Sequence, residues 1–313
     1  MTSSKPYALL DLVEAKTPEQ KRDFVAKVTK LANDVGGRLA LANKVLPAIV
    51  IPDERALEVD RATDLLVITW YPTREAGETA FAARKEWTDQ FAHRTYASQP
   101  IMPLALKIYN ALLFTLGLFN RAVVPTLVPK VVPKVVPKAV PKAVPNVVPK
   151  AVPKAVPTSE DQEQIQSLIA TADVVQGAGI YEGNWTQQLE LSNNQPIWML
   201  NFLEYSEEAN FEVDAEHVSG ETISGAEAYA EYGDRMATSL ASVGGRIVWR
   251  SKAPEQVSGT DDGQWHEIAI ATYPSTQALM TMYAKPAYRA AHVYRKAGLA
   301  RTRLVATQPI AEE

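Results

Sequence analysis

A double glycine followed by arginine occurs twice, as Gly36-Gly37-Arg38 and as Gly244-Gly245-Arg246, and the two occurrences share an ordered set of neighbours. Phe24 precedes the first at the same distance that Tyr232 precedes the second. Tyr71-Pro72 matches Tyr273-Pro274, Asp11 falls opposite Asn201, Asp64 falls opposite His266, and Arg94 aligns with Arg295 after one residue of slippage. A single coincidence of this kind is weak, but an ordered series marks a tandem repeat. The chain is therefore restricted to folds that two copies of one small unit can build.

The unit reads as α+β. In the first copy YALLDLV, residues 7–13, has the apolar run of a buried strand. Thr17-Pro18-Glu19 opens a helix, with Thr17 as cap and Pro18 at the first helical position. Phe24, Val25, Val28, Leu31, Ala32 and Val35 recur at helical spacing, and Gly36-Gly37 ends the helix because glycine accepts the left-handed conformation freely. Residues 38–46 and 65–71 read as strands, and Pro72-Thr73 turns the chain into a second helix running to about Arg94. The second copy repeats the order. It has strands at 197–205, RIVWRS, WHEIAIATY and 303–307, and helices at 225–243 and through Tyr288 to Arg295. This strand–helix–strand–strand–helix–strand order is the ferredoxin-like arrangement, which covers one sheet face with helices and leaves the other open. Two copies packed sheet to sheet cover both open faces, so an intrachain pseudo-dimeric barrel is expected. The first copy has little room after Arg94 for a fourth strand, which is either missing or supplied from downstream. The expected domains are 1–100 and 195–313, separated by a helix at 101–124, an extended segment at 125–158 and a helical lead-in at 159–194.

The connecting segment does not belong to the repeat. Proline falls at every fourth position from 125 to 157, which excludes an α-helix and requires an extended chain, either polyproline II or an isolated strand. No Asp or Glu occurs from Gln90 to Ser159, a stretch that carries +9, so with an overall charge of −4 the remainder carries −13. The basic middle faces either an anionic partner or the chain's own acidic domains, unless its lysines only keep an apolar linker soluble. Residues 104–121 have a broad apolar face with Lys107 and Arg121 on the other side. Such a helix either packs onto the domains or lies at a lipid interface, with Lys130, Lys134, Lys138, Lys142, Lys150 and Lys154 on anionic headgroups.

Cysteine is absent, which excludes disulfides, thiolate metal sites and a cysteine nucleophile. The start of the chain lacks the pattern of a secretory signal, so a cytoplasmic location is expected. There is no phosphate loop, no dinucleotide fingerprint and no metal-ligand spacing among His93, His217, His266 and His292, so neither cofactor nor metal is expected. Nucleic acid is not an expected partner, because the basic stretch lacks interleaved aromatics and the domains are acidic. The remaining candidates are polar groups set in apolar strands and helices of the second copy: Asn201, Arg246, His266 and Arg295 as catalytic groups, with Tyr232 and Tyr288 binding ligand. Clustered, they would line a pocket with a base and an anion-holding arginine; dispersed, the arginines would serve surface ion pairs. The first copy offers Asp11, Arg38, Asp64 and Arg94 instead, so at most one pocket is expected.

The segments MLNFLEY, SGAEAYAEYGDRM, VGGRIVW, WHEIAIATYPS and KPAYRAAHVYR resemble domain-of-unknown-function family 1330, within the dimeric α+β barrel superfamily. The resemblance covers about residues 195–310, with a fainter one over 5–100. The family's usual Trp-Asp strand opening is here Trp265-His266, while the first copy keeps the acid as Asp64. The resemblance implies paired ferredoxin-like units. It implies no single reaction, because the superfamily includes cofactor-free monooxygenases, isomerases, haem enzymes and plain binding modules.

Two functions are thus expected from different classes. One is a small-molecule binding protein, or a cofactor-independent oxygenase or isomerase, acting on an apolar or aromatic ligand; a homo-oligomer is compatible with it. The other is a scaffold that docks on a membrane, lipid surface or larger assembly through residues 101–157. Docking on lipid predicts flotation with anionic vesicles that is lost at high salt and lost when residues 101–157 are deleted. Absence of flotation at low salt would overturn it.

Overall fold

The computed structural model describes residues 5–46, 57–58, 63–88, 91, 93–101, 163, 195–211, 222–259 and 263–310. In the N-terminal half, β1 (Tyr7–Val13), β2 (Arg38–Val45), β4 (Leu65–Tyr71) and β5 (His93–Pro100) stand in the order β2-β4-β1-β5, with α1 (Pro18–Asp34) and α2 (Arg74–Thr88) as helices. In the C-terminal half, β6 (Ile197–Tyr205), β7 (Arg246–Ser258), β8 (Glu267–Tyr273) and β9 (Leu299–Pro309) stand as β7-β8-β6-β9, with α3 (Gly225–Ser242), α4 (Thr276–Ala284) and α5 (Pro286–Gly298). A short β3 (Leu57–Glu58) runs parallel to β9. The two orders are the same once the halves are superposed in sequence, which is the ferredoxin-like arrangement twice.

The halves join at both edges. β5 pairs with β7, and β9 pairs with β2, both antiparallel, so eight strands close into a barrel. Asn43 Nδ2 donates to Thr307 Oγ1 across the second seam at 2.9 Å, and Thr307 donates on to the Trp198 carbonyl at 3.1 Å. Strand alternation then sorts the side chains. Leu10, Leu12, Ile68 and Tyr96 from one half meet Trp198, Leu200, Phe202 and Ile270 from the other in the barrel interior. The opposite faces pack under the helices of their own half, with Phe24, Val28 and Val67 in one and Met199, Tyr232 and Leu279 in the other.

The first helix of each half begins and ends through local chemistry. Thr17 and Ser224 each close a capping box, with Gln20 and Glu227 respectively. Each first helix ends in the same motif: Gly36 N donates to Asn33 O and Gly37 N to Ala32 O, as Gly244 does to Ala241 and Gly245 to Leu240. Gly36 and Gly244 hold φ of 75° and 77°. The second glycine serves closeness instead. A Cβ on Gly37 would stand 2.6 Å from the Trp70 carbonyl oxygen.

Several expectations are corrected. α2 ends at Thr88, and Arg94 lies in β5, so its alignment with the helical Arg295 fails. The first copy does have its fourth strand, HRTYASQP. It lacks an apolar run because Thr95 and Ser98 are buried in it, and Thr95 Oγ1 donates to Asp11 Oδ1 at 2.6 Å. β7 reaches well beyond RIVWRS: residues up to Lys252 pair with β8, while Ser251 to Ser258 pair with β5. The last helical stretch is broken at Lys285, where Pro286 starts a new helix. Residues 102–162 and 164–194, which include the expected extended segment, lie outside the described residues.

The register confirms one landmark pair. Tyr7 pairs with Tyr71 and Ile197 with Tyr273, so Asp11, opposite Val67, and Asn201, opposite Ala269, hold the same place in the two copies. Asp11 is fully buried and receives Arg84 Nη1 of α2 at 2.8 Å. Removing one partner of such a pair strands a buried charge. Asp11→Ala is expected to cost about 3–5 kcal/mol, read as a lowered urea midpoint; a change under about 1 kcal/mol would show that the pair does not hold α2 to the sheet.

Candidate ligand pocket

In the C-terminal half the helix-covered sheet face is not fully filled. The first turn of α3 and the last turn of α5 meet at glycines: a Cβ on Gly225 would stand 2.5 Å from the Gly298 carbonyl oxygen. This close crossing brings Tyr229 and Tyr232 of α3 over the same space as Tyr288 and Arg295 of α5. Beneath them lie Met199 and Asn201 of β6, Ala269 and Ala271 of β8 and Leu304 of β9, and together they line a cavity of about 50 Å³. The short side chains of Ala269 and Ala271 leave the room. Met236 and Met282 close the sides with flexible, polarisable groups.

The polar groups here are mostly donors. Arg295, 3% exposed, gives Nη1 to the Tyr229 hydroxyl at 3.0 Å and Nη2 to Thr302 Oγ1 at 3.3 Å. Its guanidinium lies 5.7 Å from the rings of both Tyr229 and Tyr232. The hydroxyls of Tyr232 and Tyr288 stand 3.5 Å apart, at the long limit of a hydrogen bond. Burial drives the phenols of Tyr229, Tyr273 and Tyr288 above their ordinary range, and the opposing pull of Arg295 does not offset it. At neutral pH these tyrosines therefore keep their protons. Asn201 Nδ2 donates one of its two hydrogens to the Met199 carbonyl at 2.9 Å. Among the described residues lining the cavity there is no carboxylate and no imidazole.

Four candidates from the sequence thus meet in one place: Asn201, Arg295, Tyr232 and Tyr288. Two do not. His266 is exposed, its Nδ1 accepts the Tyr205 backbone N–H at 2.8 Å, and its ring stacks on Tyr205. Arg246 is exposed at the start of β7. The candidate interaction residues Lys107, Arg121, Lys130, Lys134, Lys138, Lys142, Lys150 and Lys154 lie outside the described residues. Tyr229 was missed, although it stands one helical turn before Tyr232 on the same face. Also missed was the carboxylate beside the pocket, Glu267. It is 2% exposed, held bidentately by Arg250 at 2.6 and 2.9 Å, and accepts the Tyr205 hydroxyl at 3.0 Å. Strand alternation places it on the face of Ala269 and Ala271, the signal that could have found it. No group of three or more metal-ligating side chains occurs among the described residues. No helix among them is long and apolar enough to cross a membrane.

Residues 217–308 match DUF1330, a domain of unknown function. A Rhodopseudomonas palustris protein of unknown function is 30% identical over 41% of this chain and 92% of its own, with a TM-score of 0.36. The C-terminal half thus carries a DUF1330 domain. That half holds the pocket, and the family match does not extend to the N-terminal half. Two further structures span nearly the whole chain. A Lactobacillus acidophilus protein provisionally named a monooxygenase is 10% identical over 97% of this chain and 93% of its own, with a TM-score of 0.42. Chlorite dismutase from Candidatus Nitrospira defluvii, in complex with imidazole, is 10% identical over 98% of this chain and 93% of its own, with a TM-score of 0.39. No curated protein matches. The assignment of the α+β barrel rests on the strand order and the two closed seams.

The protonated pocket tyrosines have a consequence for stability. An unfolded tyrosine ionises near pH 10, whereas the buried ones resist ionisation to higher pH. Their contribution is fully present below that pH and is lost as pH rises above it. Stability should therefore fall above about pH 10, with part of the tyrosinate absorbance appearing only as the chain unfolds. Ionisation of all 12 tyrosines near pH 10 in a chain that stays folded would contradict this.

Proposed function

We propose that the chain binds a small, largely apolar molecule between the C-terminal sheet and its helices. The observation that carries this is the cavity with an alanine floor, methionine sides and a roof of tyrosines around a buried arginine. Concave sites of mixed apolar wall and few polar groups are the usual form of small-molecule pockets. At about 50 Å³ the space holds roughly four water-sized groups by the usual measure. A larger aromatic ligand enters only if Met236 or Met282 moves.

The chemistry on offer is hydrogen-bond donation to an oxygen acceptor. Protonated phenols and a guanidinium stabilise negative charge that develops on a bound carbonyl or enol oxygen. An oxygenase or isomerase without cofactor would use them to hold an enolate oxygen, and would need a base for the substrate's proton that the described lining residues do not offer. With no carboxylate or imidazole among the described lining residues, binding is the simpler reading.

Cavity filling tests it. In saturation-transfer NMR against small aliphatic and aromatic fragments, Ala269→Leu is expected to abolish the binding shown by the unaltered chain while leaving its circular dichroism unchanged. Undiminished binding by that variant would place the ligand elsewhere.

A further inference from the structure

The seam between β5 and β7 brings together a histidine and a serine that lie 165 residues apart in the chain. Ser258 ends β7 and stands opposite Thr95, while His93 opens β5. Gly259 follows the serine at a φ of 97°, and a Cβ there would stand 2.6 Å from the His93 carbonyl oxygen. Glycine after the serine is thus what lets the two segments approach this closely. Both side chains are half-buried, and neither belongs to the pocket of the C-terminal half.

The hydrogen bonds fix where the imidazole proton sits. His93 Nδ1 lies 3.0 Å from the Phe91 carbonyl oxygen, which can only accept, so Nδ1 carries the proton of the neutral ring. Nε2 keeps its lone pair, and Ser258 Oγ, 3.2 Å away, donates its hydroxyl proton to it. A hydroxyl held on a ring nitrogen, with the ring itself oriented by a third group, is the arrangement of an activated nucleophile. We propose that Ser258 and His93 form a nucleophile–base dyad that reacts with activated acyl esters. Ser258 Oγ bonds to the acyl carbon as its proton passes to His93 Nε2. The ester C–O bond then breaks, and the leaving alcohol takes that proton. Water adds to the acyl carbon in turn, returns a proton through Nε2 to Ser258 Oγ and releases the carboxylic acid. The group behind His93 is a carbonyl and not a carboxylate, so the imidazolium formed on the way is stabilised less than in a triad with an acid. This confines the dyad to esters whose leaving group departs readily, such as aryl esters.

The test uses the full chain and a small alkyl fluorophosphonate, which loses fluoride to a reactive serine and stays attached, followed by intact mass and peptide mapping. An adduct on Ser258 is expected. Ser258→Ala should abolish it, and His93→Gln should slow its formation by about a hundredfold or more. Release of nitrophenol from p-nitrophenyl acetate should fall in the same order. Ser258→Ala removes a single oxygen and keeps the fold, so it decides the labelled site even if His93→Gln loosens the seam. A hydrogen bond that only pins the seam would leave Ser258 of the unaltered chain without an adduct, and that result overturns the proposal. So does an adduct on Ser258 that forms equally fast in a folded His93→Gln chain.

Discussion

Everything in this molecule depends on the two seams where one half's sheet hydrogen-bonds to the other's. A four-stranded ferredoxin-like sheet has two raw edges and one bare face, and neither is stable in water by itself. Joining β5 to β7 and β9 to β2 removes all four edges at once and turns both bare faces inward onto a shared core. The buried Asn43–Thr307 contact adds a register to one seam, since a slip of one residue would send polar groups to the wrong face. Both halves are thereby bound to a single barrel, and the helices of each are free to diverge.

They have diverged at the helix-covered faces. In the N-terminal half the ion pair of Asp11 and Arg84 closes the space between sheet and helix. In the C-terminal half Ala269 and Ala271 lie beneath a cavity at this level. A buried ion pair contributes little net stability when it forms, but it costs much when half of it is lost. The N-terminal pair therefore works as a lock, whereas the same strand position in the C-terminal half holds a neutral amide. Nearby, Arg250 neutralises Glu267, so that carboxylate strengthens the wall through Tyr205 and does not present its charge to the cavity.

The sequence alone determined the repeat, the helix caps, the double-glycine stops and the pairing of Asp11 with Asn201, because each depends on local chemistry or on counting along a strand. It also singled out Asn201, Tyr232, Tyr288 and Arg295, polar groups in apolar surroundings that must find partners when buried. Only the tertiary structure decided that HRTYASQP is a strand, that β7 serves two neighbours, and that His266 and Arg246 stand apart from the pocket. Those facts turn on hydrogen bonds and space between residues remote in sequence. Local pattern reports what a segment can do, whereas burial of Thr95 by Asp11, or an opening above Ala269, exists only when distant elements have closed around it.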